Sequence, residues 1–414
     1  MKVAVIGLGK LGLSLAAWLA ERGHDVTGVD SNPELVKALQ QGKCPIQETG
    51  LAETLIGVGS RFHVVERLEK IPDAFFIVVP TPSLPDGGFD CSFVLAAART
   101  IGNLIDADDS EGYKLVVVVS TVMPGQMELV RATLIDETSL ADYERKIGLC
   151  YNPEFVALGS VLRDLSHPDL VLIGESDKRA GRMLQHMLAL NVPTYRTNFV
   201  NAELAKLSIN TFLTAKITFA CMMARLAEKL PGADVDVVSN IVGADSRIGR
   251  KYLTGANGFG GPCFPRDNEA LAQLAHQLGV SPRLPRTIIE ENKGQIWAIN
   301  SKVAELMVKD PLANVLVLGM AYKPGTPVMD ESQGLRFYKS FRSALVKWYD
   351  PMAEGSVPRE LVQEAIRVAG VVILMQPDPA FLDFDYGDTP VIDCWRLLRK
   401  SQPKNWHPMG IGET

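Results

Sequence analysis

The chain has 414 residues, more than one hydrophobic core usually accommodates, so two or three domains are expected. Apolar residues make up 47% of it and charged residues 22%, which is the composition of an ordinary globular protein. The net charge of −6 argues against a general nucleic-acid-binding surface, because such a surface needs an excess of basic residues.

The N-terminal segment and the cysteines predict a cytoplasmic protein. A strand pattern begins at once at Lys2–Ile6, with no basic leader or cleavage site. No uninterrupted apolar run reaches the roughly 20 residues that span a bilayer, so no membrane contact is expected. The six cysteines form no CxxC pair, which is typical of a reducing compartment. The cysteines and the six histidines also lack metal-ligand spacing, so we expect no metal.

The first half of the chain alternates short β-branched runs with helical patterns. Helices are predicted at Lys10–Glu21 and Asn32–Gln41. The strands are apolar throughout, which predicts a parallel sheet covered by helices on both faces. The predicted strands are Val3–Ile6, Asp25–Val29, Phe75–Val79, Leu115–Ser120, Ile147–Leu149 and Leu170–Ile173.

A long, mostly apolar segment follows at Asn201–Leu230 and is closed by a Pro-Gly pair. A helix of about 30 residues is roughly 45 Å long, which suits a spine between two domains. The segment is apolar on several faces, although Lys206, Asn210 and Lys216 lie within it. We therefore expect it to be buried partly in the core and partly in a subunit contact.

Strand patterns then resume and predict a second, smaller α/β unit. These strands are Asn314–Gly319, Ala344–Tyr349, Gly370–Leu374 and Pro390–Ile392. The chain is therefore divided into an N-terminal α/β domain (1–198), a central helical domain that contributes to dimerisation (199–300) and a C-terminal α/β domain (301–414).

The clearest motif is GLGKLG at residues 7–12, between the first strand and the first helix. Gly7 permits the tight turn, Gly9 lets the backbone approach a pyrophosphate, and Gly12 allows close helix–strand packing. Asp30 ends the next strand, where a carboxylate bonds the ribose 2′-hydroxyl and repels a 2′-phosphate. This combination predicts NAD binding rather than NADP binding. The alternative is a glycine-rich turn with no ligand.

A second motif, GFGGPCFPRD at residues 258–267, places a thiol after a glycine-rich loop. The glycines let a substrate lie against the backbone just before Cys263. Arg266 and Asp267 follow, and a nearby cation lowers a thiol pKa and favours the nucleophilic thiolate. The alternative is that Cys263 is a small buried apolar residue.

Three further features are candidate ligand contacts. Two of them follow strands, at the edge where open α/β sheets bind ligands, and the third lies on one face of a helix. STVMPG at residues 120–125 follows a strand, but it also fits a type II turn. NPEF at 152–155 follows another strand, and its Glu154 could be a solvated loop acid. Lys206 and Asn210 are spaced i and i+4 and share one helix face. In an apolar helix they need partners, which a substrate or a salt bridge to another domain would supply.

These motifs together resemble the UDP-glucose/GDP-mannose dehydrogenase family over nearly the full chain. The resemblance implies a Rossmann-type NAD-binding domain, a central domain built on a long helix, and a smaller Rossmann-like C-terminal domain that binds the nucleotide part of a nucleotide sugar. The matching segments are GLGKLG with Asp30, PIQETGL (45–51), PTPSLPDGG (80–88), STVMPG, NPEF, AELAKLSINTFLTAK (202–216), DSRIGRKYL (245–253), GFGGPCFPRD and GMAYKPGT (319–326).

The resemblance implies a four-electron oxidation of the sugar C6 hydroxyl to a carboxylate, with reduction of two NAD⁺. Cys263 is implied to attack the intermediate aldehyde and form a thiohemiacetal and then a thioester. Lys206 is implied to stabilise the oxyanion, and Asn210 to hold the C6 oxygen. Water activation and proton transfer are implied for Asp267, Thr121 and Glu154.

The resemblance also implies which residues contact each ligand. Arg247 is expected to reach the substrate of a neighbouring subunit in a homodimer, and Lys323 to contact the nucleotide diphosphate across the domain cleft. The residues implied at the cofactor are Gly7, Gly9, Lys10, Leu11, Gly12, Asp30, Thr81, Thr121 and Arg266. Those implied at the nucleotide sugar are Glu154, Phe155, Lys206, Asn210, Arg247, Tyr252, Phe259, Gly260 and Lys323.

The chain departs from the usual family pattern at four positions, Leu158, Pro262, Arg266 and Asp330. The first replaces a second glutamate four residues after Glu154. UDP-glucose is the expected substrate, because the NPEF segment looks like members that act on sugars with a free C2 hydroxyl; GDP-mannose is second. The alternatives are a two-electron β-hydroxyacid-type dehydrogenase and a catalytically silent sugar-nucleotide-binding protein.

Overall fold

The structure is a computed structural model that describes residues 1–108, 112–341 and 343–412. The chain forms two compact units, Met1–Leu207 and Ser208–Thr414. The long helix that the sequence predicts runs through the boundary between them.

The first unit is built on a sheet of eight described strands in the order β3-β2-β1-β4-β5-β6-β7-β8. Its first six positions follow the strand order of doubly wound dinucleotide-binding sheets. The strands are β1 (Lys2–Ile6), β2 (Asp25–Val29), β3 (Phe62–Val65), β4 (Ala74–Ile77), β5 (Lys114–Val118), β6 (Ile147–Tyr151), β7 (Val171–Glu175) and β8 (Thr194–Thr197).

Helices cover both faces of this sheet, as the apolar strands predict. Along β1, Val3 and Val5 pack into one core cluster, whereas Ala4 packs into the other. The helices are α1 (Lys10–Glu21), α2 (Pro33–Gln40), α3 (Leu51–Val58), α4 (Ser92–Asp106), α5 (Gln126–Thr138), α6 (Leu140–Lys146), α7 (Val161–Ser166) and α8 (Lys178–Leu188), with a 3₁₀ turn at Gly59–Arg61.

The sheet is parallel, as predicted, except at one pair of strands. β7 runs antiparallel to β6, with Tyr151 opposite Gly174, while the other neighbouring strands are parallel. An antiparallel partner begins at the edge where the preceding strand ends, so it needs no crossover along the sheet. The connection at residues 152–170 therefore stays at the carboxyl edge of β6, and NPEF lies within it.

The long helix α9 spans Phe199–Glu228, close to the predicted bounds. It is long and apolar enough to cross a membrane by length and composition, with a mean hydropathy of 1.3 in its most apolar window. However, Glu203, Lys206 and Asn210 on this helix form hydrogen bonds inside the protein. That is how a core helix with embedded polar residues behaves.

The second unit combines helices with a five-stranded parallel sheet in the order β10-β9-β11-β12-β13. The strands are β9 (Val315–Leu318), β10 (Val346–Tyr349), β11 (Val371–Leu374), β12 (Val391–Asp393) and β13 (Trp406–Pro408). The helices are α10 (Val235–Ala244), α11 (Phe264–Gln277), α12 (Arg283–Leu306), α13 (Gln333–Ser340) and α14 (Val362–Val368), with 3₁₀ turns at Ser343–Leu345, Arg359–Leu361 and Pro379–Asp383.

Candidate active site

The glycine loop between β1 and α1 has the geometry that a dinucleotide needs. Gly7 has a φ of +92°, and a Cβ there would lie 2.5 Å from the Val78 carbonyl oxygen. A Cβ on Gly12 would lie 1.9 Å from the Gly7 carbonyl oxygen, so both positions require glycine. Around Gly9 the space is open to 4 Å, which leaves the backbone accessible to a pyrophosphate. Lys10 and Leu11 then form the first turn of α1.

Asp30, at the end of β2, is fixed against this loop. Its Oδ2 accepts a hydrogen bond from the Leu8 N–H at 2.7 Å, and its Oδ1 accepts one from the Asn32 N–H at 2.9 Å. A carboxylate oxygen has two lone pairs, so acceptor capacity remains for a ribose hydroxyl. The glycine loop and the acid therefore fit NAD⁺, whose chemistry is to accept a hydride.

The loop after β5 is held by Thr81 on one side and by α9 on the other. Thr81 Oγ1 donates to the Thr121 carbonyl oxygen at 2.8 Å. The buried Glu203 carboxylate accepts hydrogen bonds from the Gly125 and Met127 N–H groups, both at 2.8 Å, at the start of α5. A carboxylate is stabilised at a helix N-terminus. The STVMPG loop is therefore tied to the helix that carries Lys206.

The NPEF loop brings Glu154, Phe155 and Lys206 together. Lys206 Nζ donates to the Glu154 carbonyl oxygen at 2.6 Å and lies 4.6 Å from the centroid of the Phe155 ring. Desolvation raises the pKa of Glu154 to about 7, and the charge of Lys206 opposes that rise. A carboxyl group that titrates near neutrality is suited to general acid–base catalysis.

Leu158 belongs to the apolar interior and not to this polar group. It packs as a partly buried residue against the core cluster that contains Trp18. The backbone around it is anchored by Glu48, whose carboxylate accepts from the Gly159 N–H at 2.8 Å and the Val161 N–H at 2.9 Å. The family's second glutamate is thus replaced by a packing contact.

In the second unit, Cys263 is exposed and immediately precedes α11. Its carbonyl oxygen accepts from the Asp267 N–H at 2.8 Å, which closes the first helical turn. The expectation that this thiol could be a buried apolar residue is therefore wrong. A thiol at a helix N-terminus is in an environment that favours the thiolate.

Asp267 is almost completely buried and lies between two predicted site residues. Its Oδ2 accepts from Asn210 Nδ2 at 2.5 Å, and its Oδ1 lies 3.4 Å from Arg266 Nε. This contact joins α11 to α9, on which Asn210 follows Lys206 by about one turn. The spacing of Lys206 and Asn210 therefore places both on one helix, each with a partner inside its own unit.

Aromatic contacts surround the start of α11. Phe264 makes edge-to-face contacts with Phe259 and Tyr252, at centroid distances of 6.1 and 6.3 Å. Tyr252 has a φ of +67°, a left-handed conformation that is rare for a large side chain. Such backbone strain clusters at ligand sites. Tyr252, Phe259 and Gly260 therefore belong to the segments that flank Cys263.

The remaining two predicted contacts also lie in the second unit. Arg247 is exposed and forms a bidentate ion pair with Asp245, with a closest N–O distance of 2.6 Å. Lys323 Nζ lies 5.9 Å from the centroid of the Tyr322 ring, in the turn after β9. Within residues 1–108, 112–341 and 343–412, no group of three His, Cys, Asp or Glu side chains is arranged to hold a metal ion.

A doubly wound sheet with this glycine loop and terminal acid defines an NAD-binding α/β oxidoreductase. Residues 1–190 match the NAD binding domain of the UDP-glucose/GDP-mannose dehydrogenase family, and residues 200–294 match its central domain. The chain belongs to this family, and it is an NAD-dependent nucleotide-sugar 6-dehydrogenase by type.

Relatives and a solved structure agree with this assignment. The chain is 33% identical to the UDP-glucose 6-dehydrogenase of Haloferax volcanii over 95% of this chain and 93% of that protein. It is 33% identical to the GDP-mannose 6-dehydrogenase of Pseudomonas aeruginosa over 80% of this chain and 76% of that protein. The solved UDP-glucose dehydrogenase of Pyrobaculum islandicum is 33% identical, with a TM-score of 0.89 over 99% of this chain and 98% of that one.

The sequence motifs do not identify three buried polar residues that organise the site segments. Glu203 anchors the STVMPG loop, whereas Asn292 and Gln333 contact the backbone of Phe259. The signal for Glu203 was a carboxylate in an apolar helix, three residues before Lys206. Asn292 and Gln333 lie outside every motif, and no sequence signal marks them.

Proposed function

We propose that the chain oxidises the C6 hydroxyl of UDP-glucose to the carboxylate of UDP-glucuronate, with Cys263 as the covalent nucleophile. The observation that carries this proposal is the exposed Cys263 at the start of α11, one helical turn before a buried Asp267 that is bonded to Asn210. A two-electron dehydrogenase has no need of a thiol in this position.

The first oxidation requires loss of a proton from the C6 hydroxyl and of a hydride from C6. When bound, NAD⁺ supplies the hydride acceptor for both oxidations. Lys206 stabilises the negative charge that develops on the C6 oxygen, and Asn210 holds this oxygen. A fixed ammonium near a developing charge contributes several kcal/mol in a site that excludes water. Lys206 is suited to this role because its Nζ is held by the Glu154 carbonyl oxygen.

The second oxidation requires a tetrahedral carbon. The Cys263 sulfur adds to the aldehyde carbon and forms a C–S bond, and the oxygen takes up the proton to give a thiohemiacetal. Loss of the C6 hydride and of the hydroxyl proton then leaves a thioester. Water adds to the thioester, the C–S bond breaks with the electron pair on sulfur, and the uronate is released. Asp267 and Thr121 orient or activate water, and Glu154 transfers protons, with a pKa near 7 that suits this work.

We assign the ligand contacts as the family resemblance implies. Gly7, Gly9, Asp30, Thr81 and Arg266 are proposed to bind NAD⁺. The support for this assignment is the open backbone at Gly9 and the fixed carboxylate of Asp30. Three domains are proposed, at residues 1–198, 199–300 and 301–414, with Lys323 of the last one at the nucleotide diphosphate.

A homodimer with shared sites is part of the proposal. In the part of α9 that lies in the second unit, Phe212, Phe219, Met222 and Leu226 are exposed, and Phe212 is 68% accessible. Their spacings of seven, three and four residues form the apolar seam along which helices pair. Arg247 is exposed too and is proposed to reach the substrate of the partner subunit.

GDP-mannose is the second candidate substrate, because the chain is similar to a GDP-mannose 6-dehydrogenase as well. A screen of nucleotide sugars with NAD⁺, followed at the NADH absorbance band, separates the candidates. UDP-glucose is expected to give the highest kcat/KM. No NADH from any nucleotide sugar would favour a catalytically silent binding protein.

The nucleophile is tested by the stoichiometry of Cys263 variants. The wild-type enzyme is expected to release two NADH for each uronate. Cys263→Ala is expected to stall after about one NADH per sugar or to turn over very slowly, because water replaces a positioned thiol poorly. Cys263→Ser offers a hydroxyl whose ester hydrolyses slowly, so intact mass should show a covalent adduct. A Cys263→Ala enzyme with two NADH per turnover at near wild-type rate would contradict the proposal.

A further inference from the structure

A pair of buried side-chain amides holds the loop that precedes Cys263. Asn292 lies on α12, Gln333 is the first residue of α13, and both are at least 95% buried. Asn292 Oδ1 accepts from the Phe259 N–H at 2.8 Å, and its Nδ2 donates to the Phe259 carbonyl oxygen at 2.9 Å. Gln333 Nε2 donates to the same carbonyl oxygen at 2.8 Å and to Asn292 Oδ1 at 3.0 Å.

This loop needs an anchor because of its composition. Three of the four residues at 258–261 are glycine, which has the greatest backbone freedom of any residue. Phe259 is the exception, and the amides bind both of its main-chain polar groups. Gly258 allows their approach, since a Cβ there would lie 2.3 Å from Asn292 Oδ1. A further hydrogen bond joins the Gly261 N–H to the Asp330 carbonyl oxygen at 2.9 Å.

We propose that Asn292 and Gln333 are positioning residues for the nucleophile. They act through Phe259 to fix the point from which the chain enters Cys263 and α11, only four residues later. This inference rests on the proposed role of Cys263. A misplacement of about 1 Å at a reacting group costs on the order of 100-fold in rate. The two amides therefore determine how efficiently the thiol captures the aldehyde.

The test uses two near-isosteric variants and a matched control. Asn292→Leu removes the two hydrogen bonds between the Asn292 amide and the Phe259 backbone. Gln333→Met removes the hydrogen bonds that the Gln333 amide donates to Phe259 and Asn292, while Asn292 stays in place. The control is Asn300→Leu, on the same helix α12, since the Asn300 amide donates to Ser340 Oγ at 3.1 Å and not to the loop. Gln333→Met keeps the test available if Asn292→Leu does not fold.

The first readout is the fate of the aldehyde. The enzyme turns over UDP-glucose and NAD⁺ in the presence of hydroxylamine, and the captured oxime is measured against uronate. Asn292→Leu is expected to raise the ratio of oxime to uronate about tenfold or more, and Gln333→Met to raise it less. The KM for NAD⁺ is expected to change little, because the proposed cofactor contacts other than Arg266 belong to the first unit. If the variant only reduced the fraction of folded enzyme, oxime and uronate would fall together and the ratio of oxime to uronate would not change.

The second readout does not depend on activity. Cys263 is exposed and Cys44 is half-buried in the first unit, so iodoacetamide labelling followed by peptide mass gives an internal comparison. The Cys263 thiol is already accessible, so a looser loop adds little access, whereas it lets Cys263 turn away from its position at the start of α11. The ratio of Cys263 to Cys44 labelling rates is therefore expected to fall in Asn292→Leu and in Gln333→Met, but not in Asn300→Leu.

An unchanged oxime-to-uronate ratio and an unchanged labelling ratio in the amide variants would overturn the proposal. In that case Asn292 and Gln333 would stabilise the fold only. If wild-type protein oxidises no nucleotide sugar, the proposed function fails, and the labelling ratio alone still decides whether the amides position Cys263.

Discussion

Glu154→Gln tests whether the carboxyl group beside Lys206 is a reactive group or a stabilising one. The pKa of Glu154 is raised from 4.5 to about 7, mainly because the group is desolvated. The folded protein therefore binds this proton more tightly than the unfolded chain does. Below pH 4.5 the carboxyl group is protonated in both states, so Glu154 does not lower the free energy of unfolding of wild type. Between pH 4.5 and 7 the free energy of unfolding falls progressively.

The size of this effect follows from the two pKa values. A difference between 4.5 and about 7, at about 1.4 kcal/mol for each pH unit, corresponds to roughly 3 kcal/mol. This is an upper limit, because Glu154 retains some solvent exposure and water screens its charge. Glutamine has nearly the same shape and never ionises, so it does not carry the penalty. Relative to wild type, Glu154→Gln should gain up to roughly 3 kcal/mol of stability as the pH rises from 4.5 to 8.

The assay is urea unfolding of wild type and variant at pH 5 and pH 8, with Glu144→Gln on the exposed surface of α6 as the control. The control variant should differ from wild type by the same amount at both pH values. In the pH–rate profile, the wild-type rate should rise with pH through about 7, because the ionised form accepts the proton, and Glu154→Gln should lose this limb. A variant that is less stable relative to wild type at pH 8 than at pH 5 would refute the reasoning.

Three further predictions concern the cofactor, the oxyanion and the assembly. The kcat/KM for NAD⁺ should exceed that for NADP⁺ by on the order of 100-fold, because Asp30 repels a 2′-phosphate. Asp30→Asn should make this ratio smaller. Comparable kcat/KM values for the two cofactors in wild type would contradict the role of Asp30. Lys206→Ala should lower kcat by about 100- to 1000-fold with little change in KM, since the lysine charge acts in the transition state. If only KM changed, Lys206 would be a contact of the bound substrate and not a transition-state group. Sedimentation should show a wild-type dimer, and Phe212→Glu should weaken it because it puts a charge in the exposed apolar seam of α9. A fully active wild-type monomer at assay concentration would exclude sites shared between subunits.

The sequence predicts the interior of both sheets and misses three of their four edge strands. Central strands such as β4 are runs of buried apolar residues, the pattern typical of strands covered on both faces. The three strands that were not predicted, β3, β8 and β13, each lie at the end of a sheet. Their sequences FHVV, TYRT and WHP are short, and the last two contain polar or proline residues that edge positions tolerate.

The same division holds for the candidate site. A glycine loop, a terminal acid and a thiol after glycines are local patterns whose geometry the neighbouring residues determine. The supporting contacts are not local. Asn292 and Gln333 reach Phe259 across 33 and 74 residues, and Glu203 reaches Met127 across 76. Only the fold brings such residues together, so no spacing rule could have predicted which residues are in contact.

Three glutamates of the first unit show how hydrogen-bond partners distinguish an anchor from a reactive group. Glu48 and Glu203 each accept two backbone N–H bonds, which hold the charged carboxylate and fix a loop. Within the described residues, no donor is hydrogen-bonded to the Glu154 carboxylate, and its nearest compensation is the charge of Lys206. A desolvated carboxylate without donors lowers the stability of the fold, and such groups are candidates for a role in proton transfer. Leu158 stands where the family usually has a second glutamate, so we propose that Glu154 alone carries the proton transfers in this chain.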